Sequence, residues 1–217
     1  MCFYMKKEEL PKTISVFPLS NFIIFPKTTV PLNIFEERYI QMIDDAMKGN
    51  RMIGMIQPKK NDETINPDLF KVGCLAKITS FNETEDGRYL IFVTGLCRFE
   101  IIDEVKKDKL FREFKVKYEN FYDDLINVTK EIKFSDLNLI FKELKELFKK
   151  QGYTINWKEL EKKSLDHTIN TLSMASPFSL EEKQVLLESK KLDTRKEKLQ
   201  EILKTYLLDN FSNTTVQ

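Results

Sequence analysis

Across residues 36–48 the apolar positions Tyr39, Ile40, Met42, Ile43, Ala46 and Met47 recur at steps of three and four. That period predicts one helix with a single apolar face, stopped by Gly49-Asn50. On either side the period shortens towards two. Residues 14–18, ISVFP, read as a short strand ended by a proline, which has no N–H to give a ladder. The segments NFIIFP and KTTVPLNIF stay extended, and Pro26 and Pro31 within them predict edge or bulged strands. Residues 52–58 return to strand, and the polar stretch KKNDETINPD that follows reads as a mobile loop. Residues 72–81 and 88–102 flank NETEDG, whose closing Asp86-Gly87 predicts an antiparallel hairpin. Gly95, inside the second of these strands, reads as a bulge or a close backbone approach. Residues 113–118 alternate cleanly and end the β-rich part.

Beyond Tyr118 the period becomes helical and glycine nearly disappears. Ser135 is placed to cap a helix whose stripe is Leu137, Ile140, Phe141, Leu144, Leu147 and Phe148, closed by Gly152. Asn156 with Glu159 resembles a capping box, and residues 167–175 form a further helix stopped by Ser176-Pro177. Ser179 with Glu182 is a clearer S-x-x-E box. A last helix is predicted from about Asp193, burying Leu199, Ile202, Leu203, Tyr206 and Leu207. The expected organisation is therefore α+β, with a β-rich part over residues 1–118 and a helical bundle over residues 119–217.

Composition narrows the function. The chain has 217 residues, 41% hydrophobic and 32% charged, a soluble globular balance. Net charge is +1, with neither half a charged arm, so nucleic acid is a disfavoured partner. No apolar run approaches the ~20 residues that cross a bilayer, so no membrane is expected. The N-terminal MCFYMKKEEL lacks the apolar core of a secretory signal. Cys2, Cys74 and Cys97 have no CxxC spacing, which suggests a reducing, cytoplasmic setting. With His167 the lone histidine, neither a zinc site nor any other metal or cofactor is expected.

Motifs for catalysis are missing. Gly49 and Gly54 have the P-loop separation, but Met55-Ile56 stand where lysine and Ser/Thr would hold phosphates. No G-x-G-x-x-G and no G-x-S-x-G occurs. His167 sits in a helical segment without a nucleophile motif, and Cys74 and Cys97 read as small buried hydrophobes on strands. Lysines and serines are numerous, yet nothing singles out a Ser-Lys pair. Seventeen phenylalanines remain. Most read as core, while Phe22, Phe25 and Phe35 stand in proline-punctuated segments and could line an apolar groove for extended polypeptide.

The string FPLSNFIIFPKTTVPLNIFEERYIQMI carries a family likeness. Phe17-Pro18-Leu19, Phe25-Pro26, Pro31-Leu32, Ile34-Phe35-Glu36 and Arg38-Tyr39 resemble the opening of the N-terminal domain of Lon (La) ATP-dependent proteases. Gly54-Met55, Val72-Gly73, Ala76-Lys77-Ile78, Asp86-Gly87-Arg88-Tyr89, Thr94-Gly95 and Arg98-Phe99 follow in the family's order. Glu182-Lys183-Gln184, Leu186-Leu187-Glu188, Arg195 and Leu199 look like its closing helices. Asn33 stands where many relatives have histidine, so no role of that imidazole carries over.

The resemblance implies a PUA-like β-barrel-type first half with one embedded helix, then a helical bundle. It also implies a non-catalytic binding module for a protein partner or unfolded polypeptide, or a proteolysis adaptor. These 217 residues have no room for the family's ATPase and Ser-Lys protease domains, so a stand-alone substrate-binding protein is expected. Phe22, Phe25, Phe35, Arg38 and Tyr39 are the residues assigned to partner binding. For Glu36, Arg38 and Tyr39 a structural role is weighed beside it, with Glu36 at the helix start and Arg38 tying helix to sheet. The alternatives are a PUA-like small-ligand or RNA-binding protein, or an enzyme with an unrecognised site. Weak homo-oligomerisation stays open.

Overall fold

The computed structural model describes residues 5–20, 22–59, 66–106, 108–126, 138–150, 152 and 154–212. Ser135, Leu137, Cys2 and most of the expected mobile loop lie outside the described residues. Two compact units emerge, Met1–Asn127 and Val128–Gln217.

The first unit is built on six strands: β1 (Thr13–Pro18), β2 (Thr29–Ile34), β3 (Met52–Ile56), β4 (Val72–Glu83), β5 (Tyr89–Val105) and β6 (Glu113–Lys117). Their order is β2-β5-β4-β3-β1-β6, and β6 also pairs with β5. That extra pairing closes five strands into a ring, a barrel-type closure that leaves no edge between β6 and β5. It is possible because β5 is 17 residues long. The β5 residues Tyr89 to Thr94 pair with β2, and its later residues Glu100 to Val105 pair with β6. The hairpin of β4 and β5 forms as the Asp86-Gly87 signal predicts, with Gly87 at φ 77° in its turn. Strand β2 has β5 as its partner, which makes it an edge strand and accommodates Pro31.

Helix α1 (Glu37–Lys48) follows β2 and buries Tyr39, Met42, Ile43 and Ala46, the face its period predicts. Phe17 lies 4.3 Å from the Tyr39 ring, and Tyr89 donates to Asp44 Oδ1 at 2.9 Å. These contacts pin the helix across the ring. The interior is filled by Phe25, Phe99, Leu75, Ile53, Val93 and Cys97, all without measurable exposure. Burial, then the nearby Asp124 carboxylate, pushes the Cys97 thiol up, so it packs rather than reacts.

The compact units divide after Asn127 rather than at Tyr118, because the chain beyond β6 packs on β5. After β6 a 3-10 segment, Glu119–Leu125, folds back on β5. Arg98, 2% exposed, donates from Nε and Nη2 to the two Asp124 oxygens, both at 2.8 Å, and stacks on Phe121. A buried guanidinium needs such a partner. Residues 119–126 therefore pack with the strands.

The second unit holds α2 (Asn138–Lys150), α3 (Trp157–Glu161), α4 (Leu165–Ala175), α5 (Leu180–Glu188) and α6 (Leu192–Ser212). Helix α6 packs against α2, α4 and α5, with Leu199 and Leu203 fully buried. Ser179 and Glu182 form the reciprocal capping box, whereas Asn156 is observed accepting from Glu159 N–H. Arg195 is buried and donates to the Leu186 and Ser189 carbonyls and to Asn170 Oδ1, which joins three helices.

Candidate functional site

The five residues assigned to partner binding divide sharply. Phe25 is 0% exposed, and its place in the core follows from the turn it opens. Pro26 precedes Lys27 at φ 66°, the proline-then-positive-φ pattern of a type II turn. The turn is closed by Thr28 Oγ1 donating to Phe25 O at 2.6 Å. It docks on β5 through Lys27 N–H to Gly95 O at 2.8 Å and Gly95 N–H to Thr28 O at 2.9 Å. Phe25 is thus a core residue and offers no surface to a partner. Tyr39 is likewise buried, on the inner face of α1, and its hydroxyl is pushed up mainly by burial. Arg38, half-exposed, bonds Glu36 Oε2 from Nε at 2.9 Å and stacks over Tyr39. That pair ties Arg38 to Glu36, the residue that opens α1. Phe22 is half-buried in an irregular segment. Phe35 stands out at 64% exposed.

Phe35 has neighbours that sequence reading passed over. The strand registers set three cross-strand rows on the outer face. Met52, Lys77, Thr94 and Thr29 form the first across β3, β4, β5 and β2. Ser80, Phe92 and Pro31 form the second, and Asn82, Leu90 and Asn33 the third. Phe35, one step past β2, continues the alternation of Pro31 and Asn33. Phe92 is 48% exposed and Leu90 45%. A strand with one wetted face ordinarily places polar side chains there. From Thr29 and Thr94 through the third row, none of these outward positions is charged, in a chain with 32% charged residues.

An exposed sheet face with phenylalanine, leucine and proline at its centre, small neutral hydrogen-bonding side chains around them and no charge has the make-up of a contact surface. Thr29 and Thr94 bond each other at 2.8 Å, while Asn33, Asn82 and Ser80 supply donors and acceptors that suit a peptide backbone. The signal available in the sequence was the alternation in RYLIFVTG, where Leu90 and Phe92 share a face opposite Ile91 and Val93. Nothing local says which of those faces is wet. Among the described residues, no group of three His, Cys, Asp or Glu is placed to hold a metal, and no helix is long and apolar enough to cross a membrane.

Residues 13–205 match the family model described as the ATP-dependent protease La (LON) substrate-binding domain. The chain is 28% identical over 203 residues to a Lon protease of Flavobacterium johnsoniae, covering 88% of this chain and 24% of that protein. A Lon protease of Cytophaga hutchinsonii is 33% identical over 114 residues, 52% of this chain and 14% of the relative. The chain therefore spans a quarter or less of the length of these relatives. Among solved structures, a Lon N-terminal domain protein from Xanthomonas campestris superposes with a TM-score of 0.61 at 19% identity, covering 86% of this chain and 96% of the other. The N-terminal domain of a Mycobacterium avium complex Lon protease gives 0.57 at 16% identity, over 89% and 97% of the two chains. The structural likeness establishes the mixed α+β fold, the family model covers most of the chain, and this protein belongs to the Lon substrate-binding domain family.

Proposed function

We propose that this chain is a non-catalytic polypeptide-binding module that holds unfolded segments on the outer face formed by β2, β5 and β4. The observation that carries the reading is the uncharged patch of Phe35, Leu90, Phe92 and Pro31, on a domain whose family is defined by substrate binding. Its task is capture and delivery, with unfolding and cleavage left to Lon-type machinery on the same or another chain. A side chain buried from full exposure contributes about 1.5–3 kcal/mol, and ordering a free chain offsets about 2–5 kcal/mol. A few half-exposed side chains therefore support only weak, exchangeable binding. That suits a module that must release its client.

The test is fluorescence anisotropy with a permanently unfolded, carboxymethylated model protein. Phe92→Ser combined with Phe35→Ser is expected to weaken binding about tenfold or more, the effect of losing ~1.4 kcal/mol. Both positions are outward, so the thermal midpoint should stay close to the parent's. Failure of the parent to bind an unfolded client, or equal binding by the double variant, would reject the reading.

A further inference from the structure

The first of the three outward rows does not end on open surface. Met52 and Lys77, which sit in the same cross-strand row as Thr94, line a cleft of about 620 Å³ together with Leu96. Leu96 is the extra residue of a β-bulge, because Leu75 pairs with Cys97 and Ala76 with Gly95. Along β5 the outward apolar positions Leu90 and Phe92 thus lead past Thr94 towards Leu96 and into the cleft. From Leu90 to Leu96 the strand rises about 20 Å, the length of roughly six extended residues.

The lining of the cleft carries charge where the strip has none. Arg51 lines it next to Asn50, whose Oδ1 is occupied by Met52 N–H at 3.0 Å. Arg51 is held at φ 60°, a region glycine enters freely and a β-carbon disfavours. Its backbone is fixed there by Arg51 N–H to Ala46 O at 2.9 Å and Ile78 N–H to Arg51 O at 2.8 Å. A long cation kept in a glycine-favouring conformation at the rim of a cleft points to use of the side chain rather than of the turn. Lys77 adds a second cation to the lining. Glu9 is the acidic side chain of the wall, and its carboxylate accepts Lys6 N–H at 2.8 Å.

We infer that this cleft receives the C-terminal carboxylate of a bound polypeptide, with the preceding apolar, uncharged residues lying along β5. The assignment rests on the polypeptide-binding reading above and adds a direction and an end to it. Charge complementarity selects the occupant. An uncharged strip accepts the body of a segment, and charge-assisted bonds from Arg51 and Lys77 accept a single anionic group where the strip stops. A terminal carboxylate and an aspartate side chain share that chemistry, so the test must separate them.

The experiment uses the whole chain and three fluorescent peptides of the same apolar body, ending in a free carboxylate, in an amide, or in an aspartyl amide. The free acid is expected to bind about tenfold or more tightly than the amide, as charge-assisted hydrogen bonds imply. Arg51→Gly relieves the backbone conformation, so it should fold at least as well as the parent while bringing the acid down to the amide's affinity. Arg51→Lys should restore part of the preference. Equal binding of acid and amide by the parent overturns the cleft assignment and leaves the strip intact. Tight binding of the aspartyl amide overturns the chain-end assignment. If none of the peptides binds, the polypeptide reading falls as well.

Discussion

Gly95 shows how a single position can carry a long-range contact. A β-carbon there would lie 2.3 Å from the Phe25 carbonyl oxygen, far inside any real contact. The obstruction is backbone, held against Gly95 by one hydrogen bond from Lys27 N–H and one to Thr28 O, so it cannot swing aside. Gly95→Ala should therefore destabilise by about 2–3 kcal/mol or more, read as a fall in the urea midpoint. Thr94-Gly95 and Phe25-Pro26, which look like separate short motifs, are two halves of this one contact. The same holds for Arg98, whose guanidinium answers Asp124 across 26 positions of sequence. These motif residues keep the fold, while the proposed binding face joins motif residues Pro31 and Phe35 to Leu90 and Phe92, which belong to no motif.

Strand β5 organises the first unit because three neighbours share it. Its start serves β2 and β4, its end β4 and β6, and bulges at Leu96 and Ile102 let the direction change between them. The β5–β6 end is fastened by Arg112, which donates from Nε and Nη2 to the two oxygens of Glu104 at 2.8 Å and from Nη1 to Pro67 O. That hydrogen bonding holds the Glu104 carboxyl below its ordinary value. A carboxyl depressed in the fold stabilises fully above its unfolded value, about pH 4.3, and the contribution fades as the pH falls through the folded value. Glu104→Gln should flatten the acid limb of stability against pH, measured as a smaller difference in urea midpoint between about pH 6 and about pH 3. Because Glu104 is partly exposed, the effect should be modest. In the helical unit α6 has the corresponding organising place, and Arg195 at its start fastens it to α4 and α5.

At the scale of the molecule, all six strands and the Arg98–Asp124 pair lie within the first compact unit, so residues 1–127 should fold alone and keep the proposed binding face. A fragment ending at Tyr118 removes Asp124 and leaves Arg98 buried without that partner. Removing one member of a buried pair costs about 3–5 kcal/mol, so circular dichroism should report a much lower urea midpoint for the shorter piece. Much of the architecture was legible beforehand. The period of α1, the turn signal at Gly87, the S-x-x-E box at Ser179 and the stop at Gly152 are local chemistry, and local chemistry is written in order along a chain. The proposed binding face was legible in part. Phe35 was named together with Phe22 and Phe25, but Leu90 and Phe92 join it only through register with β2, and alternation cannot say which side of a strand meets water. Phe25 was misplaced for the opposite reason, since its burial comes from a turn that needs Gly95, seventy positions further on. Pro31 bears on what becomes of a captured client. Strand β2 ends the sheet at the side where the proposed clients would lie, and such a border ordinarily invites further strands to zip on. With a rung missing at its midpoint, that border makes a poor template, so a client can rest against the side of the sheet without being drawn into a growing fibril.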